Sequence, residues 1–121
     1  MNSISLIQQF HQAAGQVIPG VAARSARYLL THPRRYPGKA WEEEARAAAV
    51  PVSFRYGLTG LRWGDSGPVV LMLHGWEGRA TQFARFIPAL LASGRQVIAL
   101  DGPAHGRSPL KAANVVMFAH A

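Results

Sequence analysis

The sequence of 121 residues contains no cysteine, which excludes disulfide bonds and thiolate metal sites. This composition is typical of a protein from a reducing compartment. Nitrogen and oxygen ligands are present in His74, Asp101 and His105, but no two of them have the spacing of a metal site. We therefore predict no metal ion and no other cofactor.

Long apolar runs are also absent. No stretch approaches the ~18 uninterrupted apolar residues that a membrane-spanning helix needs. The first 23 residues contain no Lys or Arg, and polar residues, mainly glutamines, interrupt their apolar positions, so that no secretory signal is evident. These absences predict a cytoplasmic protein with no stable membrane insertion.

Acidic residues are missing from the first 40 positions, which contribute five basic residues to a net charge of +7. The five are Arg24, Arg27, Arg34, Arg35 and Lys39. A basic arm of this kind could attract the phosphates of nucleic acid or of anionic lipid. Because no basic run is interleaved with stacking aromatic residues, we predict no nucleic-acid partner. The simpler interpretations are a solvated face or a surface that complements acidic parts of a longer chain.

Two amphipathic helices are predicted at the N-terminus. Apolar residues recur at helical spacing from Ile4, with Ser3 as the N-cap and Pro19–Gly20 as the stop, and a second helix runs from Val21 to about Leu30. The pair could lie on a membrane surface. Packing of its apolar face on the rest of the domain or on a partner chain is the simpler interpretation.

A third helix is predicted over Trp41–Ala49 and completes a helical N-terminal extension of residues 1–50. Its three consecutive glutamates, residues 42–44, point in different directions on a helix, so we expect a solvated face rather than a metal or acid–base cluster. The remaining residues, 51–121, form the second predicted domain.

Short apolar segments dominate this second domain. Apolar residues alternate with polar ones from Val52 to Tyr56 and again from Leu61 to Trp63, which predicts a β-hairpin. The unbroken apolar runs Val69–Leu73 and Val97–Leu100 are typical of parallel strands covered on both faces, and the segment between them is long enough for a right-handed crossover. Within that segment, Pro88 predicts a kink or the start of a fresh helix.

A glycine-containing loop follows each of the two apolar runs. The first is His74-Gly75-Trp76-Glu77-Gly78, and the second is Asp101-Gly102-Pro103-Ala104-His105-Gly106-Arg107-Ser108. In open α/β sheets, ligands bind outside the carboxyl ends of the strands, and both loops leave from those ends. Any chemistry should therefore lie near Trp76 and His105.

In these two loops the sequence resembles the α/β-hydrolase family, whose first such strand ends in His-Gly and a bulky residue and whose second ends in Asp-x-Pro-Gly-x-Gly-x-Ser. The resemblance covers Val52 to the C-terminus. It departs from the second pattern at Ala104, where glycine is usual, and this predicts an ordinary negative φ there. The implied fold class is α/β: N-terminal helices and a β-hairpin lead into the first parallel βαβ unit of an α/β-hydrolase fold, truncated before the nucleophile elbow.

The resemblance implies esterase-like hydrolysis of a small-molecule acyl substrate by a serine-type mechanism. The backbone N–H of Trp76 would be one donor of the oxyanion hole, and His74, Gly75 and Trp76 would contact the substrate. The family's nucleophile elbow, G-x-S-x-G, does not occur in the sequence. We therefore expect the nucleophile, the acid and the catalytic histidine beyond residue 121, and an inactive chain on its own. We expect His74 to be a hydrogen-bonded structural histidine and Ser108 to be a turn or capping serine.

The alternative is a non-catalytic fragment or a binding module. Gly75-x-x-Gly78, followed by Asp101, imitates a dinucleotide-binding loop, although the second glycine of G-x-G-x-x-G is missing. The basic arm could instead bind lipid. In the implied fold the Val69–Leu73 strand has a neighbouring strand on each side. The neighbour that carries the nucleophile elbow is missing from the sequence, which predicts self-association through an exposed sheet edge.

Overall fold

The computed structural model describes residues 2–121. The chain divides into two compact units, Met1–His32 and Pro33–Ala121. The domain boundary at residue 50 stays a prediction, but the third helix, Ala40–Ala47, lies in the second compact unit and not with the first two helices. No helix formed by residues 2–121 combines the length and the hydropathy needed to cross a membrane.

The first unit is a pair of amphipathic helices, α1 (Ser3–Val17) and α2 (Pro19–Thr31), which pack on each other. Both were expected from the sequence, but the cap of α1 differs. Asn2 is the N-cap, because its side chain accepts the Ser5 N–H at 2.9 Å while Ser3 is already the first helical residue.

The second unit is built on a four-stranded sheet. Its strands are β1 (Val50–Ser53), β2 (Thr59–Trp63), β3 (Val69–Leu73) and β4 (Gln96–Leu100). The spatial order is β1-β2-β4-β3, in which β1 pairs with β2 and β2 with β4 antiparallel, while β3 and β4 are parallel. The predicted hairpin and the predicted parallel unit are both confirmed.

The connections between strands follow from a few residues with unusual backbones. The first strand of the hairpin, β1, ends at Ser53, earlier than predicted. The chain then enters a 3₁₀ turn over Arg55–Gly57, in which Tyr56 has a φ of 60°. The crossover contains a 3₁₀ segment, Ala80–Phe86, followed by α4 (Ile87–Ala92). Pro88 lies in the first turn of α4, so it starts a fresh helix as predicted.

The core lies on one face of the sheet. Its buried residues come from the strands and the crossover and are Leu61, Trp63, Ala80, Ile87, Val97 and Ala99. Helix α3 (Ala40–Ala47) covers the same face, and its Ala45 carbonyl accepts the Trp63 indole N–H at 2.8 Å. This burial explains why α3 belongs to the second compact unit.

The opposite face of β3 is open. Val69, Leu71 and Leu73 point to that face and are each more than half exposed. The expectation that both faces of the parallel strands are covered is therefore wrong for β3 within residues 2–121, because α3 and the crossover pack against the core face of the sheet. Strand β3 is also an edge strand, with β4 as its single partner among these residues. Self-association through this edge stays a prediction.

Candidate active site

Two loops meet beyond the carboxyl ends of β3 and β4. The His74 turn comprises residues 74–78, and the Asp101 loop comprises residues 101–108. They lie side by side because the strands that lead into them are adjacent and parallel. The His105 ring packs 5.0 Å from the His74 ring and 4.9 Å from the Trp76 ring, measured between centroids. Trp76 and His105 are therefore brought together, as the two motifs predicted.

The His74 turn holds the Trp76 backbone N–H without an internal partner. The Gly78 N–H donates to the Gly75 carbonyl at 3.0 Å, and Glu77 has a φ of 58°, which is the pattern of a type II turn. Trp76 is the second residue of this turn. Among residues 2–121, its N–H donates no hydrogen bond. It is thus available to an acceptor from outside this part of the chain.

The His105 ring is a structural connection between the two loops. Its Nε2 accepts the Glu77 N–H at 2.9 Å, so the proton of the neutral ring resides on Nδ1, which donates to the Pro103 carbonyl at 2.8 Å. The ring is buried, and burial is the main cause that lowers the pKa of His105 below its ordinary value of 6.5. His105 therefore stays neutral at physiological pH and fixes the turn that carries Trp76.

His74 is held in the same way. Its Nε2 accepts the Gly102 N–H at 2.9 Å and its Nδ1–H donates to the Gly75 carbonyl at 2.7 Å. Both ring nitrogens are occupied by backbone groups, which agrees with the expectation of a structural histidine. Contact of His74, Gly75 and Trp76 with a substrate stays a prediction.

The Asp101 carboxylate organises its own loop. It is buried, with Oδ1 accepting the Ala80 N–H at 2.7 Å and Oδ2 accepting the Arg107 N–H at 3.0 Å. The loop also depends on Ser108, whose buried hydroxyl donates to the Asp101 carbonyl and accepts the Thr59 N–H at 2.9 Å. The carboxylate therefore faces backbone amides and not the open space where the dinucleotide alternative needs it to bind a ribose. No group of three or more His, Asp or Glu residues among residues 2–121 is arranged to hold a metal ion.

Ala104 does not have the negative φ that its side chain predicts. Its φ is 63°, and it is buried with its N–H donating to the Pro109 carbonyl at 3.0 Å. The closure of the loop thus imposes a left-handed backbone, at a cost of roughly 1–2 kcal/mol for a residue with a Cβ. At Gly106 the loop tolerates no such substitution, since φ is 50° and a Cβ would overlap the Asp101 carboxylate.

Residues 68–120 match a family model described as the alpha/beta hydrolase fold. This part of the chain belongs to the α/β-hydrolase superfamily. Searches of curated proteins and of solved structures gave no match to the chain. The match includes β3, the crossover, β4 and both loops, so the α/β fold and the superfamily expected from the sequence are confirmed.

Two arginines that precede residues 68–120, here called the hydrolase segment, each bind one of its two loops. Arg34 forms a bidentate ion pair with Glu77 of the His74 turn, at 2.9 and 3.0 Å. Arg35 donates to three carbonyl oxygens in and after the Asp101 loop, those of Gly106, Ser108 and Leu110, at 2.8–2.9 Å. Reasoning from the sequence missed both roles, and the one available signal was a single acidic residue in the first loop opposite a basic arm.

A buried ion pair connects α3 to the residue after the His74 turn. Glu42 accepts two hydrogen bonds from the Arg79 guanidinium, at 2.8 and 2.6 Å, and further bonds from the Lys39 N–H and the Thr81 hydroxyl. The expectation that residues 42–44 form a solvated face is wrong for Glu42, because this side chain faces the sheet layer and is buried. The hydrogen bonds from Arg79 are the main cause that lowers the pKa of Glu42 to about 2.

We predict that Glu42 makes the fold sensitive to acid. A carboxyl with a pKa of about 2 when folded and an ordinary value of 4.5 stabilises the fold above pH 4.5. That stability, roughly 3 kcal/mol, is lost as the pH falls from 4.5 towards 2, because the unfolded chain then binds the proton more readily. Glu42→Gln should remove this pH dependence and lower the free energy of unfolding at pH 7, as measured by urea denaturation at each pH.

Glu44→Gln is the matched control, because Glu44 is exposed on the same helix. Its unfolding curve should follow that of the unsubstituted chain at every pH. Parallel pH dependences for Glu42→Gln and the unsubstituted chain would contradict the assignment.

An apolar cavity of about 200 Å³ opens beside His74, on the open face of β3. Its walls include Leu71, Leu73 and Phe118, the last from helix α5 (Val115–His120). The Phe118 ring fits over Gly102, where a Cβ would overlap it, and it packs edge to face with the His105 ring at 5.1 Å between centroids. An apolar surface thus adjoins the two loops on the open face of β3.

Proposed function

We propose that this chain supplies the oxyanion loop and part of the substrate site of a serine-type, esterase-like α/β-hydrolase acting on a small-molecule acyl substrate. Superfamily membership supports hydrolysis in general terms. The observation that carries the more specific proposal is the Trp76 N–H, which has no acceptor among residues 2–121. It lies in a turn whose Glu77 is bound by His105 and by Arg34.

The chemistry depends on the rigidity of that turn. When a nucleophile attacks an ester carbonyl, the oxygen gains negative charge, and donors already aimed at it lower the barrier without reorganising. Here Glu77 is bound through its N–H to His105 and through its carboxylate to Arg34. These two contacts hold the backbone of the neighbouring Trp76, so that its N–H would serve as a fixed donor.

The nucleophile must come from elsewhere, because G-x-S-x-G does not occur in the sequence. We propose that the nucleophile, the acid and the catalytic histidine follow residue 121, and that the strand leading to the nucleophile pairs with the outer edge of β3. The free edge of β3 and its exposed Leu71 and Leu73 support this arrangement. The absence of cysteine supports a cytoplasmic location for the enzyme.

The test is hydrolysis of p-nitrophenyl acetate by two products of the same coding sequence. The 121-residue chain should release nitrophenolate no faster than the ester hydrolyses in buffer alone. A longer product, translated beyond codon 121, should contain a strand followed by G-x-S-x-G. It should show saturable hydrolysis that a serine-directed sulfonyl fluoride abolishes. Saturable turnover by the shorter chain, or a longer product with an intact elbow and no hydrolysis, would overturn the proposal.

A further inference from the structure

A second cavity, of about 140 Å³, lies between residues 34–46, the His74 turn and the Asp101 loop. It has room for roughly four or five water-sized groups. Five arginines and two glutamates contribute the charges of its lining, namely Arg34, Arg35, Arg46, Arg79, Arg107, Glu43 and Glu77. The hydrolytic chemistry proposed above uses none of the space inside it.

Three of the five guanidinium groups already have partners. Arg34 is paired with Glu77, and Arg79 is paired with Glu42. Arg35 is occupied by three carbonyl oxygens, which accept its hydrogen bonds but do not neutralise its charge. These three side chains therefore build the wall of the cavity.

The other two guanidinium groups, those of Arg46 and Arg107, share one carboxylate. Oε2 of Glu43 lies 3.9 Å from Nε of Arg46 and 3.8 Å from Nη2 of Arg107, and both separations are longer than a hydrogen bond. The Arg46 side chain is only 14% exposed, and its buried Nε has no hydrogen-bond partner within the part of the chain that the structure describes. Burial and, after it, the charge of Arg107 lower the pKa of Arg46. A buried N–H of this kind needs an acceptor, and residues 2–121 provide none for it.

The charges around the cavity do not balance. Five arginines line the cavity, and they face Glu43 and Glu77 in the lining and Glu42 behind Arg79. The buried Asp101 carboxylate also acts on Arg46, so that one positive charge is left.

We propose that this cavity, defined as the arginine cavity, binds a phosphate group through the guanidinium groups of Arg46 and Arg107. The phosphate would take the place of the Glu43 carboxylate, which is half exposed and within hydrogen-bond distance of neither group. A phosphate group carries about −1.5 to −2 charge at pH 7 and offers several strong acceptor oxygens. Planar guanidinium groups match this geometry through paired N–H donors.

The phosphate group can belong to free inorganic phosphate or to a phosphate monoester. Both present the same terminal oxygens, and the opening of the cavity between exposed residues such as Arg107 leaves space for a substituent. The shared chemistry is therefore a tetrahedral dianion, and the two sources are distinguished by affinity.

The experiment is a calorimetric titration of the purified 121-residue chain with sodium phosphate at pH 7.5, with sodium chloride holding the ionic strength constant. We expect saturable binding with one site. Arg46→Gln and Arg107→Gln should each weaken it by about tenfold or more, the effect of a lost charge-assisted hydrogen bond. Arg46→Lys, which keeps the charge but not the planar fork, should weaken it less than Arg46→Gln does.

Arg95→Gln is the matched control, because it removes one positive charge from an exposed position outside the cavity. Its affinity for phosphate should stay within about twofold of the unsubstituted chain. If Arg46→Gln fails to fold, as judged by circular dichroism, Arg107→Gln provides the same test, since that side chain is 66% exposed.

Glycerol phosphate replaces inorganic phosphate in a second titration. Tighter binding of the monoester would identify a ligand with a substituent, and equal or weaker binding would identify free phosphate; either result supports the site. Heat that varies with ionic strength and does not saturate, or equal affinities for Arg46→Gln, Arg107→Gln and Arg95→Gln, would overturn the proposal.

Discussion

Replacing Trp76 with proline should lower the kcat of ester hydrolysis by about 10²- to 10³-fold in the longer hydrolase that we propose contains this chain. Proline has no N–H, so the proposed oxyanion donor is removed. The turn itself should survive, because Trp76 occupies the second position of a type II turn, where proline is favoured. The measurement is steady-state kinetics with p-nitrophenyl acetate, with circular dichroism as the check on folding.

The control is Trp76→Ala, which keeps the backbone N–H and removes the side chain. Trp76 is 45% exposed and its indole ring packs 4.9 Å from the His105 ring, so the loss of the side chain should alter substrate contact and appear mainly in KM. Equal losses of kcat in the proline and alanine variants would show that the side chain matters and that the N–H does not.

Replacing Asp101 with alanine should lower the free energy of unfolding by about 2–6 kcal/mol, because the N–H groups of Ala80 and Arg107 lose their acceptors, at about 1–3 kcal/mol each. This loss is a large part of the ~5–15 kcal/mol that stabilises an ordinary domain. Asp101→Asn keeps one acceptor oxygen and turns an amide N–H₂ towards the other donor, so its loss should be intermediate. Urea unfolding of the purified chain measures all three free energies.

Asp65→Ala is the reference substitution, since Asp65 is exposed in the turn between β2 and β3. It should change the free energy of unfolding by no more than about 0.5 kcal/mol. An Asp101→Ala chain as stable as the Asp65→Ala chain would contradict the structural role of the buried carboxylate.

Much of the hydrolase segment was predictable from short stretches of sequence. The unbroken apolar runs indicated parallel strands, and the loops after them indicated where Trp76 and His105 would meet. Pro88 indicated a kink or the start of a fresh helix, and the structure has the fresh helix. Each of these features depends on residues close together in the chain, where periodicity and backbone restriction act directly.

One expectation that proved wrong, and one ion pair that the sequence did not reveal, concern contacts between distant residues. Glu42 has the local pattern of a solvated helix residue, but its partner Arg79 lies 37 positions away. The Arg34 pair with Glu77 spans 43 positions. No local pattern selects one distant partner among several charged residues, because charge is equally compatible with solvent and with a buried pair.

The sequence by itself determined the α/β class, the strands and the two loops, because hydrophobic periodicity and turn-forming residues act over a few positions. The tertiary structure alone decided that Ala104 adopts a left-handed backbone, that Asp101 and His105 bind backbone amides, and that Arg46 and Arg107 share one carboxylate. It also left the Trp76 N–H unpaired within residues 2–121. The physical reason is that backbone strain and hydrogen-bond partners are set by the closure of loops on one another, which requires the assembled sheet.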